Sequence, residues 1–271
     1  MTTIAFLDID GTLIGSSGGV SEPVWRAARQ VRQAGGRLAI CTGRPFGGVA
    51  GAIAGRLDPD APHIVMNGAL VRTTSEVLFT RGLGVETIRP MIEASRRWEA
   101  TLELYTPERH FVDEITPECA RHAEILEIEP TAEDLLAVAE REEILKTHWI
   151  IPHEMVDRAL GLDLPACEAE VANSPTMPEV SFISVTRRGV DKGMAARQAV
   201  RRLDASLEEA WGVGDSESDR PMLEVVGHPF VMANGIEQLR GVYPSVGDVD
   251  EDGILEVFER MRRSLGRTAD S

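Results

Sequence analysis

The chain has 271 residues, 43% of them hydrophobic, and a formal charge of −16 from 44 acidic and 28 basic residues. That length allows one large domain or two smaller ones with a real core. The negative balance repels nucleic acid and anionic membranes at long range, so neither is an expected partner, and an anionic ligand needs a local positive site.

Residues 3–9 read as a first strand, with Ile4, Phe6 and Leu7 apolar. Ser21 suits the N-cap of a helix that carries Val24, Ala28, Val31 and Ala34 on one face, and Gly35–Gly36 stop it. RLAICTGR (37–44) reads as a second strand, Pro45 suits the first turn of another helix, and HIVMNGAL (63–70) reads as a third strand and turn. This alternation predicts a parallel sheet with right-handed crossovers.

The middle of the chain has another rhythm. Helical patterns fall at 84–99, 116–127 and 131–142; LELYT and HFVDE read as a hairpin; ILKTHWIIP (144–152) and CEAEVA (167–172) read as strands. The first rhythm returns with a helix over 190–203, a strand at 210–215, a helix near 219–226, a strand at 229–235 and a closing helix at 252–263. The expected fold is therefore α/β: a Rossmann-like parallel-sheet core formed by residues 1–82 and 185–271, with residues 83–184 inserted as an α+β unit.

Four stretches carry chemistry. In IAFLDIDGTLIG (4–15) an apolar strand runs into Asp8 and Asp10. Positions two apart on a strand share a face, and ligands of open parallel sheets sit beyond the carboxyl ends of the strands. Two carboxylates there suit a hard cation such as Mg²⁺ shared with a phosphate; the same pattern also fits a plain Asx-turn. In ICTGR (40–44), Thr42 and Gly43 offer a hydroxyl and backbone N–H groups to an anion, although Thr is also a common N-cap. In GVDKG (189–193), Lys192 stands at a helix start, where the dipole disfavours a cation. In GDSESDRPML (214–223), Asp215 follows a short strand and Asp219 comes four residues later. All four stretches are expected on one edge of one sheet.

In order and spacing, DIDGTL, CTGR, GVDKG and GDSESDRPML resemble the four motifs of a haloacid dehalogenase superfamily phosphatase, of the Cof-type group with a class IIB cap. FVMANG and DEDGI match the usual tail, and the insertion is similar in size and place to the cap that selects substrate. The resemblance implies a Mg²⁺-dependent phosphatase acting on a small phosphorylated metabolite, such as a sugar phosphate, and the three scattered cysteines make a reducing cytoplasm the expected compartment. The same resemblance implies Asp8 as the nucleophile that becomes phosphorylated, and Asp10 as general acid and base. Thr42 and Lys192 hold the phosphoryl oxygens. The metal falls to Asp8, the backbone carbonyl of Asp10 and Asp215, with Asp219 in support. Gly43, Arg44, Asn67 and Ser218 join the substrate contacts. Ser218 departs from the family, which often has Asn there, and its shorter reach affects a local contact rather than the chemistry. Physics agrees with the division of labour: a free Asp is ionised at pH 7, as a nucleophile must be, whereas a general acid must arrive protonated.

Two other readings use the same residues: a phosphomutase of the same superfamily, and a non-catalytic phosphometabolite sensor. The oligomeric state is open. No apolar run reaches the ~18 residues of a spanning helix, and the N-terminus does not read as a secretion signal. Cys41, Cys119 and Cys167 show no CxxC spacing, which argues against a disulfide framework or zinc site. His148 and His153 are five apart around a proline, a poor ligand spacing. Cys41, Trp98, Trp149 and Trp211 read as core, and the acidic run 113–143 as a solvated face.

Overall fold

A computed structural model describes residues 2–164, 166–174 and 176–269. In chain order the elements are β1 (Ile4–Leu7), α1 (Glu22–Gln33), β2 (Arg37–Ile40), α2 (Gly48–Leu57), β3 (His63–Val65), β4 (Leu70–Arg72), β5 (Val77–Thr80), α3 (Val85–Trp98), β6 (Thr101–Tyr105), β7 (His110–Val112), α4 (Pro117–Leu126), β8 (Thr131–Ala132), α5 (Leu135–Arg141) and β9 (Lys146–Pro152). They continue with α6 (Val156–Leu160), β10 (Cys167–Ser174), β11 (Met177–Arg187), α7 (Lys192–Arg202), β12 (Trp211–Gly214), α8 (Arg220–Leu223), β13 (His228–Met232), α9 (Glu237–Arg240), β14 (Ser245–Val246) and α10 (Leu255–Ala269). Among the described residues, no helix is long and apolar enough to cross a membrane.

Two compact units result, one from residues 1–44, 50–79 and 191–271, the other from 45–49 and 80–190. The first unit is built on a five-stranded sheet in the order β14-β13-β12-β1-β2, whose pairs are all parallel. The interior strand β1 reads as an unbroken apolar run because both faces are covered: Ile4, Ala5, Phe6 and Leu7 are all buried. Ile4 and Phe6 pack with Ala195, Ala196 and Ala199 of α7. The Ser21 hydroxyl caps α1 by accepting the Val24 N–H at 3.3 Å. Beside β2, the bridge from Cys41 to Ile64 brings the β3-β4-β5 sheet alongside.

The second unit is built on a six-stranded sheet in the order β10-β11-β9-β6-β7-β8. Alternation along β6 splits its side chains between two faces. Leu102 and Leu104 join Ile88 and Met91 of α3 and Val138 of α5 in an apolar core, where Trp149 is also buried. Thr101, Glu103 and Tyr105 face the other way, toward α4, whose Thr116 hydroxyl lies 2.7 Å from that of Thr101.

Several elements differ from expectation. β1 ends at Leu7, so Asp8 and Asp10 stand just beyond the strand, where Gly11 N–H bonds Ile14 O and Leu13 N–H bonds Ile9 O. Pro45 does not open a helix, because α2 starts only at Gly48. β11 is absent from the sequence reading, yet it pairs with both β9 and β10. Its MPEVSFISVTR buries the polar Ser181 and Thr186 and half-buries Ser184, which blurs the alternation.

Candidate active site

The carboxyl ends of β1 and β12 lie side by side, since Leu7 pairs with Val213 and Asp8 N–H donates to Val213 O at 3.0 Å. Asp8 and Asp215 are the next residues out of these strands. α7 supplies a cation to this edge. Asp191 caps that helix by accepting the Met194 N–H, and Lys192 is its first residue. The Lys192 ammonium donates to Asp8 Oδ1 at 2.7 Å and to Asp219 Oδ1 at 2.6 Å. Both carboxylates and the ammonium are buried. The conflict between a lysine and its helix dipole is thus resolved by two carboxylates.

Asp219 has no spare oxygen. Its Oδ2 accepts the backbone N–H groups of Asp215 and Ser216 and the Ser216 hydroxyl, at 2.9–3.0 Å. It therefore shapes the loop that presents Asp215 and fixes Lys192, rather than offering itself outward. A Cβ on Gly214 would fall on the Asp219 carboxylate. Likewise Gly11, at φ +80°, takes a backbone conformation that L side chains avoid, and a Cβ there would fall on the Asp215 carboxylate.

Burial pushes the Asp8 carboxyl well above the usual carboxylate range; Lys192 pulls the other way, and Asp219 and Asp215 add to the rise. Burial opposes the Lys192 charge, yet Asp219 and Asp8 hold its ammonium well above the usual lysine range. The Asp215 carboxyl is pushed up to about 7, by burial first and then by Asp219. An ionised Asp8, which follows simply from the free side chain, thus needs further positive charge in the folded protein.

The donor set fits a divalent cation. Oxygens of Asp8, Asp215 and Asp219 lie within 4.8 Å of one another, and since Asp219 spends its oxygens on Lys192 and the loop, Asp8 and Asp215 are the carboxylates left to a cation. Asp215 Oδ1 is buried with no hydrogen-bond partner. Such an orphaned carboxylate oxygen costs free energy unless a cation or proton meets it.

Asp10 stands apart from this cluster. Its carboxylate is 57% exposed and gripped by Arg44, with Nε to Oδ2 at 2.8 Å and Nη2 to Oδ1 at 2.7 Å. The two aspartates thus answer to different cations, Lys192 and Arg44. Thr42 is buried just after β2, the neighbour of β1, and its hydroxyl accepts the Arg44 N–H at 3.2 Å. Asn67, at φ 55°, donates its N–H to Thr42 O, and its side-chain oxygen lies where a Cβ on Gly43 would go. Ser218 shares a hydroxyl contact of 3.0 Å with Ser216, so it belongs to the loop that Asp219 holds.

Asn234 is a site residue that sequence reasoning missed. Its amide donates to Gly11 O at 2.7 Å and accepts the Val249 N–H at 2.9 Å, tying the turn after Asp10 to the far end of the sheet. Its position in FVMANG, directly after a strand on the same sheet edge, was the available signal. Cys41 and Trp211 are core residues, as expected. His148 and His153 do not share a cluster: His153 bonds Ser181 and Pro178 O.

A model of the haloacid dehalogenase-like hydrolases matches residues 5–258. The chain is 26% identical over 255 residues to YxeH of Bacillus subtilis, covering 88% of this chain and 90% of that one. It is 24% identical over 272 residues to a Yersinia pseudotuberculosis protein named HMP-PP phosphatase, covering 94% and 93%. Among solved structures, a haloacid dehalogenase-like hydrolase from Bacteroides thetaiotaomicron superposes with a TM-score of 0.84 at 20% identity, over 96% of this chain and all of that one. The subclass IIB sugar phosphatase BT4131 superposes with a TM-score of 0.78 at 22% identity, over 96% and 98%. At that identity the structural matches establish the fold, and the family match extends over both motif-bearing parts of the sequence. The chain belongs to the haloacid dehalogenase-like hydrolase family.

Proposed function

We propose that the protein is a Mg²⁺-dependent phosphomonoester hydrolase acting on a small phosphorylated metabolite, with Asp8 as nucleophile. The observation that carries this reading is the buried Lys192 ammonium bridging Asp8 and Asp219, beside an Asp215 oxygen left without a partner. Asp8, Asp215 and the backbone carbonyl of Asp10 would hold the ion. When bound, it supplies positive charge that keeps Asp8 ionised and neutralises phosphoryl oxygens.

An Asp8 oxygen attacks phosphorus, and the bond from phosphorus to the ester oxygen breaks. Asp10, arriving protonated, gives its proton to that departing oxygen. Asp10 then takes a proton from water as the water oxygen attacks the phosphorus on Asp8, returning the Asp8 carboxylate and inorganic phosphate. Thr42 and Lys192 hold phosphoryl oxygens through both steps, with Gly43, Asn67 and Ser218 lining the approach. Arg44 must release Asp10 for this cycle, and an arriving phosphate dianion is the competitor that would draw its guanidinium away. We assign substrate selection to the inserted residues 83–184. The relative named HMP-PP phosphatase and the neighbour described as a sugar phosphatase support a small phosphorylated substrate.

The test is Asp8→Asn assayed on a panel of phosphorylated metabolites with Mg²⁺. Free phosphate should appear with the wild-type protein and fall by at least about a thousandfold in the variant, in line with the loss of a covalent nucleophile. Unchanged turnover would refute the mechanism. An isomeric hexose phosphate in place of free phosphate would favour a mutase.

A further inference from the structure

The inserted unit holds a second cluster of ligating side chains, far in sequence from the residues of the first. Glu103 is wholly buried on β6, on the sheet face turned toward α4. On that face it is joined by His148, its register partner on β9, and by His110, the register partner of Tyr105 on β7. One turn of α4 adds Cys119 and His122, three residues apart and so on one side of the helix. A carboxylate, three imidazoles and a thiol thus meet in an enclosed layer where apolar groups would be cheaper to bury.

The bonds in this layer are unevenly shared. Tyr105 donates to Glu103 Oε2 at 2.6 Å, and His122 Nδ1 lies 2.9 Å from the same oxygen and 3.1 Å from Oε1. His110 is 1% exposed, yet neither of its ring nitrogens has a hydrogen-bond partner. Its Nε2 stands 3.3 Å from Glu103 Oε1, outside hydrogen-bonding geometry. Two ligands at about 2.0–2.1 Å from a tetrahedral zinc ion are roughly 3.3 Å apart, so this separation suits a shared metal. Glu103, His110 and Cys119 each offer a ligand atom within 4.8 Å of the others.

We infer that Glu103 Oε1, His110 Nε2 and Cys119 Sγ form a site for Zn²⁺ or a similar borderline transition metal, distinct from the Asp8–Asp215 cluster. A carboxylate and a thiolate balance the charge of a divalent ion, and Cys119 would release its thiol proton on binding. Tyr105 and His122, bonded to the carboxylate, orient it as outer partners of a metal ligand do. Lys146 is buried on the same strand as His148, and its charge opposes a cation unless the thiolate forms. An imidazole and a thiolate beside the carboxylate separate this site from the all-oxygen set of the first unit, so the ion expected here is not Mg²⁺. The inference is independent of the phosphatase mechanism.

Since the layer is enclosed, the full-length protein should be tested both folded and refolded from denaturant with Co²⁺ as the probe. One equivalent of Co²⁺ should produce the strong visible bands of four-coordinate cobalt and a near-ultraviolet thiolate charge-transfer band. Zn²⁺ should displace both. The charge-transfer band should vanish in Cys119→Ser and persist in Cys41→Ser and Asp215→Asn. Tyr105→Phe should weaken Zn²⁺ binding by about tenfold. The wild-type titration stands even if a variant fails to fold: absence of a thiolate band in the wild-type protein, or its persistence in Cys119→Ser, would overturn the site.

Discussion

Arg44 holds both oxygens of Asp10 through a planar pair of bonds, 2.8 and 2.7 Å long, while Asp8, two residues earlier, is held by Lys192. Neighbours on one short turn have thus been given separate counter-ions. The Lys192 contact is buried; the Arg44 contact is open to water on the Asp10 side. That asymmetry fits a fixed nucleophile and a proton carrier that must be freed.

Arg44→Ala tests the second half of this arrangement. An ion pair with one half-exposed partner contributes ~1 kcal/mol or less to stability, so the thermal midpoint should barely move. A charge-assisted contact to a phosphate is worth more, about 1.5–3 kcal/mol, so kcat/KM should fall by roughly tenfold or more. Arg44→Lys should recover only part of it, lacking the planar fork. A lowered midpoint with unchanged kcat/KM would mark Arg44 as purely structural.

Lys192→Met probes the first half. It leaves Asp8 and Asp219 buried without their ammonium, and breaking a buried pair by removing one partner costs about 3–5 kcal/mol. Urea unfolding followed by the fluorescence of the buried Trp211 should show the loss. A change below ~1 kcal/mol would mean that the carboxylates find other compensation.

Metal dependence should carry a pH signature. Without metal, the raised Asp215 carboxyl loses its proton only near pH 7, above its ordinary value. The unfolded chain releases that proton earlier, so this group lowers stability as pH rises from about 4 toward 7. A proton on Asp215 also competes with the ion. Mg²⁺ should therefore raise the thermal midpoint more at pH 8 than at pH 6, and chelation should reverse the gain. Asp215→Asn should abolish the difference between the two pH values.

His63 predicts an acid limit of a different origin. It is buried between β2 and the loop before β3, where Nδ1 accepts the Ile40 N–H at 3.2 Å and Nε2 donates to Asp58 O at 2.9 Å. Burial pushes its pKa down to about 4. The unfolded chain takes up the proton near pH 6.5, so this contribution is full above that pH and is lost as pH falls toward 4. Asp215 acts in the opposite direction over the same range, so the loss is read against a variant: as pH drops from 7 to 4, the denaturant midpoint of the wild-type protein should fall relative to that of His63→Asn.

Much of this architecture is legible in the residues themselves. Apolar runs ending in Asp8 and Asp215 mark strands of a covered parallel sheet, because only buried strands read as unbroken apolar segments. Those ends then face the ligand edge of such a sheet, which marks Asp8, Asp10 and Asp215 as ligand candidates, while their catalytic roles come from the resemblance to the family. β11 escapes because a strand with partners on both sides and mixed cover keeps no clean period of two.

What the chain alone determines is which groups stand at the strand and helix ends, since local period, caps and glycines act over a few residues. What only the tertiary structure decides is how those groups share charge. Lys192 reaches Asp8 across 184 positions and Asp219 across 27, and Arg44 reaches Asp10 across 34. The gathering of Glu103, His110 and Cys119 depends likewise on strand register and on the docking of α4 over the sheet. Electrostatic pairing and ligand geometry depend on distances of a few ångströms between segments remote in sequence, and no local pattern encodes those distances.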